Sequence, residues 1–327
     1  MPVIDIHTHM MSDRWLGLLR RHGGPSYTIG PSQSGQNVIH EDGAPFLVMT
    51  ASMLDYGARL QAMDAAGVDV AVVSLTCPNV YWGDAHTSRE AARAINDDMR
   101  AAQTAYPDRV RYLASLPWQY PEAATAELAR ACVDGAVGVM VLANIRGRPL
   151  TDPHFAPIWR AIDTRGLPVL VHPTAPPGAK DAGLAQFNLI ATVGFVYDTT
   201  LAITRMVMDG FLDRFPNLKL IAAHGGGTIP FISQRIERFF ELTAASREKI
   251  AQPPSSYFAR LYYDAVVYQD NALHAAIALA GARHVLYGSD YPHQTGDMPG
   301  CLKRVDALPQ DQREAIRGRN AQALFGL

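Results

Sequence analysis

Short β-branched apolar runs alternate with amphipathic stretches along nearly the whole chain. The runs occupy residues 2–6 (PVIDI), 69–74 (DVAVVS), 110–116 (VRYLASL) and 136–143 (AVGVMVLA), then 167–171 (LPVLV), 218–223 (LKLIAA), 261–267 (LYYDAVV) and 284–289 (HVLYGS). They are nearly continuous rather than alternating, as strands are when buried on both faces in a parallel sheet covered by helices. Between them a 3.6-residue period predicts helices over 56–67, 88–106, 121–135, 155–166, 199–215, 232–246 and 271–281. Gly67, Gly135, Gly166 and Gly281 end four of these where a left-handed cap suits glycine. The alternation predicts an α/β chain folded as one (β/α)8 TIM barrel over residues 1–327. An open dinucleotide-binding sheet is disfavoured, because no GxGxxG follows the first run.

Two segments interrupt the pattern. Residues 12–54 form a Gly/Pro/Ser-rich insertion after the first strand, with a hairpin expected at Glu41-Asp42-Gly43. Residues 173–195 form a long loop after the fifth strand. Both follow the C-terminal ends of strands, where barrels of this kind build their sites, so both are expected to wall a pocket.

Composition narrows the class. Of 327 residues, 48% are hydrophobic and 18% charged, which suits a soluble enzyme-sized protein with a sizeable core. Lys plus Arg is 29 against 31 for Asp plus Glu, so no basic balance invites nucleic acid. No run approaches the ~20 continuous apolar residues of a membrane span, and no basic-then-apolar leader opens the chain. A cytoplasmic protein with neither nucleic-acid nor membrane partners is expected. Cys77, Cys132 and Cys301 are far apart and form no CxxC, as befits incidental thiols in a reducing compartment.

The candidate chemistry begins where the first strand runs into IDIHTHM. Residues i and i+2 of a strand share a face, so His7 and His9 project together. His172 (LVHP) ends the fifth strand, His224 (IAAHGGG) the sixth and Asp290 (YGSDYP) the eighth. In a parallel barrel all five arrive at one mouth. Imidazole and carboxylate donors without sulfur suit an open site for one divalent ion, Zn²⁺ or, second, Mn²⁺. His7, His9, His172 and Asp290 are assigned as its ligands. Such an ion lowers the pKa of its water from about 15.7 to about 7, giving hydroxide at neutral pH. The fourth strand ends VMVLANIRG with no lysine to bridge a second ion. His224 is then free as the catalytic acid and base, with Asp290 as the other proton carrier. Gly225-Gly226-Gly227 reads either as an anion-binding loop or as a close backbone approach.

The remaining candidates rest on position. Tyr81 and Trp82 follow the second strand and suit aromatic stacking, Asn144 suits a phenol or carboxylate, and His293 lies three residues past Asp290 at the metal edge. His22, His40, His86, His154 and His274 read as surface residues, and His284, at the start of the eighth strand, as structural at the other end of the barrel.

IDIHTH at 4–9, LVHP at 170–173, the long stretch 199–227 ending LKLIAAHGGG, PFISQRIERF at 230–239, YYDAVV at 262–267 and YGSDYP at 287–292 carry a resemblance. The chain resembles the amidohydrolase superfamily, and within it the aminocarboxymuconate-semialdehyde decarboxylase-like, metal-dependent branch. The resemblance implies a (β/α)8 barrel, one divalent metal (usually Zn²⁺), a homodimer, and the same ligands and catalytic histidine. It also implies that Arg235 is donated to the neighbouring subunit's site to hold a substrate carboxylate. Departures bear on substrate: Glu41 and Leu47 stand where basic residues are expected, and Ala191 where a tryptophan is. One carboxylate clamp is kept and one lost, which favours a less acidic substrate than the namesake's. The expected function is non-oxidative, metal-dependent decarboxylation of a small unsaturated or hydroxy-aromatic carboxylic acid. The alternative is hydrolysis of an amide, ester or lactone, or hydration, at the same site. Retention of all five residues argues against a barrel that has lost catalysis.

Overall fold

The computed structural model describes residues 1–32 and 35–327. Eight parallel strands follow one another in chain order around a barrel: β1 (Ile4–His9), β2 (Val70–Ser74), β3 (Val110–Ala114), β4 (Gly138–Leu142), β5 (Pro168–His172), β6 (Lys219–Ala222), β7 (Tyr262–Asp264) and β8 (Val285–Leu286). The chain beyond β8 closes the ring onto β1. Ile6 N–H donates to the Tyr287 carbonyl at 3.0 Å, Asp290 N–H to the His7 carbonyl at 2.8 Å and His9 N–H to the Tyr291 carbonyl at 2.7 Å.

The last two strands are shorter than their apolar runs suggest. Past Asp264 the chain turns at once, with Val266 N–H donating to the Asp264 carboxylate at 3.1 Å. In β1 the pairing with β2 slips by one residue between Asp5 and Thr8, a bulge just where the two histidines emerge. Bulges re-aim side chains at barrel rims.

The helices largely match their periodicity: α2 (Tyr56–Ala66), α3 (Ala85–Ala105), α4 (Pro121–Val133), α5 (Ala156–Arg165), α6 (Phe195–Met208), α7 (Ile229–Leu242), α8 (Asp270–Ala280) and α9 (Met298–Asp306). Asp84 accepts from Thr87 N–H at 2.8 Å and starts α3 earlier than the apolar pattern does. The single helix expected over 199–215 breaks after Met208. Gly210 takes a left-handed φ of 67°, and a Cβ there would meet the Lys249 carbonyl, so a short turn of helix resumes at Phe211.

The insertion holds more structure than its composition suggests. It opens with α1 (Asp13–His22), capped by Ser12, and continues as an antiparallel sheet of Tyr27–Pro31, Asn37–Glu41 and Ala44–Val48. The expected hairpin is there, turning on Asp42 and Gly43 at φ 48° and 83°. Trp15, Ile39 and Leu47 join the same buried cluster as the barrel strands. The loop after β5 ends in helical turns that run into α6. The stretch Gln186–Met208 is long and apolar enough to pass for a membrane helix by length and composition. Its backbone is interrupted at Phe187 (φ 54°), and Ile203, Met206 and Val207 pack into the barrel's core.

Candidate metal centre

His7, His9, His172 and Asp290, all buried, meet at the C-terminal mouth of the barrel. His7 Nε2 and His9 Nε2 lie 3.1 Å apart, and Asp290 Oδ1 is 3.1 Å from His9 Nε2 and 3.4 Å from His7 Nε2. The ring of His172 stands 5.1 Å from that of His7 and 4.8 Å from that of His9. His224 joins from β6, its Nε2 3.7 Å from Asp290 Oδ2. Donor atoms of His7, His172, His224 and Asp290 all lie within 4.8 Å of one another, as do those of His9, Asp290 and His293.

The donor set fits a divalent cation. On each of three rings an oxygen holds Nδ1: Asp264 Oδ2 at 2.6 Å for His7, Ser74 Oγ at 3.2 Å for His9 and the Pro173 carbonyl at 2.8 Å for His172. With the proton kept on Nδ1, the Nε2 lone pairs are free to face the centre. His172 Nε2 is buried with no hydrogen-bond partner at all, which a protein rarely tolerates without a ligand.

Electrostatics agree. Burial raises the Asp290 carboxyl, but His293, His224, His7 and His9 outweigh that and hold it well below the usual carboxylate range. Burial depresses His9 to about 3, and lowers His172 and His293 as well. His7 goes the other way: burial opposes its protonation, yet Asp264 and then Asp290 lift it to about 10. With no ion bound, these two carboxylates favour a second proton on His7; a cation drawn by the same negative charge would take that proton's place at Nε2.

Backbone strain marks the same place. His224 and Asp290 hold left-handed φ values of 55° and 58°, unusual for residues with a Cβ and tolerated here by tight surroundings. The three glycines after His224 act through close approach rather than as an anion loop. A Cβ on Gly226 would strike the Tyr263 ring, and one on Gly227 the Val196 carbonyl. The Gly225 amide is already given to Asp264 Oδ1 at 2.8 Å.

Sequence reasoning passes over three residues that support the site. Asp264 binds the His7 ring, the His224 amide and the Gly225 amide. Its signal was a carboxylate at the end of the apolar run YYDAVV. Ser74 likewise ends β2. Arg59, wholly buried, donates to Thr8 Oγ1 at 2.6 Å and to the His9 carbonyl, and lies 4.9 Å over the Tyr291 ring. On a helix with no clear apolar face it carries no signal in sequence.

The position-based candidates fare unevenly. His293 reaches the centre, its ring 4.9 Å from His9 and its Nε2 2.9 Å from Thr76 Oγ1. Trp82 is buried in the core, donates to the Asn79 carbonyl at 2.8 Å and packs on Trp15. Its neighbour Tyr81 instead lines a cavity of about 490 Å³ together with Tyr27, Glu41, Asn144, Arg146 and Thr174. Asn144 is there, but its amide is committed to Asp198 and Ala175 at 3.1 Å and to Gly147 N–H at 2.7 Å. It shapes the wall rather than offering a free hydrogen bond. Arg235 stands on the exposed side of α7, 5.2 Å over the Phe239 ring, and does not reach this chain's own centre. Leu47 pairs with Ile39 in the core, so no cation stands in its place.

Residues 4–327 match the amidohydrolase family. A relative from Dictyostelium discoideum, 2-amino-3-carboxymuconate-6-semialdehyde decarboxylase, is 31% identical over 99% of this chain and 91% of its own length. The crystal structure of 5-carboxyvanillate decarboxylase from Sphingomonas paucimobilis superposes with a TM-score of 0.88 at 26% identity, covering 100% of this chain and 99% of that one. A manganese-bound dihydroxybenzoic acid decarboxylase from Polaromonas sp. JS666 shares the fold, with a TM-score of 0.82 at 23% identity over 100% and 97% of the two chains.

Proposed function

The chain belongs to the amidohydrolase family, and from that premise we propose that it is a metal-dependent, non-oxidative decarboxylase of a small unsaturated or hydroxy-aromatic carboxylic acid. The observation that carries this is the gathering of donor atoms of His7, His172, His224 and Asp290 within 4.8 Å of one another, with His9 Nε2 3.1 Å from both His7 Nε2 and Asp290 Oδ1, in a chain related over its length to decarboxylases.

His7, His9, His172 and Asp290 would hold the ion; zinc is the proposed occupant of so nitrogen-rich a set, with manganese the alternative. When bound, the ion supplies Lewis acidity and positive charge for an acid's carboxylate and for the charge that develops as its C–C bond breaks. The chain's own residues handle the proton. Loss of CO₂ leaves the bonding pair on the substrate carbon, which must take up H⁺. Asp290 is held as a carboxylate, and His224, its Nε2 3.7 Å from Asp290 Oδ2, is the group placed to deliver the proton. Asp264 fixes the donor by binding the His224 amide at 2.9 Å. Solvent then restores the proton. Hydrolysis or hydration would use the same residues and would consume substrate without releasing CO₂.

We further propose a homodimer that donates Arg235 to the neighbouring subunit. Phe231 (90% exposed), Phe239 and Leu242 stand bare on α7 beside Arg235, and Phe187, Val193 and Tyr197 on the stretch leading into α6. Such apolar surface suits a second copy of the chain, which would also give Arg235 a carboxylate to bind. A cytoplasmic setting is proposed on the three free thiols. CO₂ release from hydroxybenzoic and muconate-type acids by metal-loaded protein, against a chelator-stripped control, tests the activity. Turnover confined to the loaded protein is expected; none with any acid would contradict it.

A further inference from the structure

We infer that the Tyr27–Glu41 pair, on the wall of the cavity beside His172, selects an acid whose far end carries a hydrogen-bond donor, an amino or hydroxyl group, over one with a second carboxylate. This deepens the proposed decarboxylase reading and rests on it for the identity of the cavity's occupant.

None of the proposed ligands lines the cavity, but residues next to His172 do. Leu142 in its lining is the ladder partner of His172, and Thr174 lies two residues further along the chain. At about 490 Å³ it suits one substituted ring. An acid whose scissile carboxylate points toward His172 would reach with its far end to the insertion sheet, where Tyr27 and Glu41 face each other as register partners.

Their chemistry is that of an acceptor wall. The Tyr27 hydroxyl donates to Glu41 Oε1 at 2.7 Å, leaving Oε2 for another donor. Burial and the neighbouring carboxylate push the Tyr27 phenol far up, so it stays protonated and keeps its own proton on Glu41. Glu41 is itself partly buried, whereas Asp42, which lines the same cavity, is exposed. A second carboxylate placed here would meet like charge, whereas an amino or hydroxyl group would complete the free oxygen. Exclusion by repulsion is as effective a source of specificity as attraction. Asp42, Arg146 and Lys180 are all exposed, where water screens a charge, so the partly buried Glu41 carries the discrimination.

The test is calorimetric binding to the zinc-loaded full chain, with salicylate, para-aminosalicylate and hydroxyterephthalate as probes. Wild type should bind para-aminosalicylate about tenfold or more tighter than hydroxyterephthalate, the scale of one hydrogen bond to a charged group. Glu41→Gln should weaken para-aminosalicylate by about tenfold and leave salicylate within about twofold, and Glu41→Lys should reverse the preference. Tyr27→Phe, which keeps the carboxylate, should retain the preference and confirm that the wall is intact. Equal losses for salicylate and para-aminosalicylate in Glu41→Gln would show a merely structural residue and overturn the inference. So would tighter wild-type binding of hydroxyterephthalate, abolished by Arg146→Ala, or no binding of any probe. CO₂ release is read separately: preference without release overturns the decarboxylase reading alone, and release without preference overturns the inference alone.

Discussion

Asp264 lies 2.6 Å from His7 Nδ1, with both side chains fully buried. The same carboxylate accepts the amides of His224 at 2.9 Å and Gly225 at 2.8 Å. One residue at the end of β7 therefore orients His7 from β1, the proposed ligand, and His224 after β6, the proposed proton donor. Asp264→Asn should weaken metal binding by about 10- to 100-fold, the cost of removing such a supporting carboxylate. Competition against a chelator measures it, and unchanged affinity would show that His7 needs no such support.

The ligands and the proton donor should separate cleanly. His172→Ala removes the donor whose Nε2 has no other partner, and its metal content should fall well below one ion per chain. His224→Asn should keep the ion and lose about 100-fold or more in turnover, the usual share of general acid catalysis. Elemental analysis beside rate measurements distinguishes the two; loss of metal in both would make His224 a ligand.

Arg59 pins the end of β1 through Thr8 and the His9 carbonyl and stacks on Tyr291 beyond β8. Arg59→Met leaves these buried acceptors unpaired and should cost about 2–4 kcal/mol of stability in denaturant unfolding. Arg59→Lys should recover only part, since an ammonium cannot reproduce the fork. Full recovery would reduce Arg59 to a buried charge.

Asp198 makes stability pH-dependent. Burial raises its carboxyl from 3.8 to about 6, against the amide of Thr174 and the side chain of Asn144. The folded chain thus keeps a proton that the unfolded chain releases over this range. Its contribution is complete below about 3.8 and is lost as the pH climbs through about 6. The stability difference between wild type and Asp198→Asn should fall by up to about 3 kcal/mol over that interval and stay flat above it. A constant difference would mean that Asp198 is ionised throughout.

The proposed dimer predicts that wild type is dimeric by light scattering and Phe231→Asp monomeric, with lower activity because Arg235 is then out of reach of the neighbouring site. A monomeric wild type, fully active, would contradict the shared-site arrangement.

The barrel and the gathering of histidines with Asp290 at its mouth were legible because each depends on local pattern. Continuous apolar runs gave the strands, and a histidine or aspartate at a strand's end projects into the mouth whatever the loops do. The supporting contacts were not. Arg59 looks like any solvated arginine until α2 packs its side chain beneath β1, and only that packing buries it. Trp82 and Tyr81 are adjacent, and nothing in sequence tells which enters the core and which the cavity. Arg235 is exposed on α7, and the role proposed for it needs a second chain.

The most direct test follows the fate of the carboxyl carbon in deuterated water. Metal-loaded enzyme supplied with an acid it consumes should release one CO₂ per molecule and leave one deuterium on the carbon that carried the carboxylate. Consumption without CO₂, or a product with the carboxylate still in place, would contradict decarboxylation and leave hydrolysis or hydration as the work of the same site.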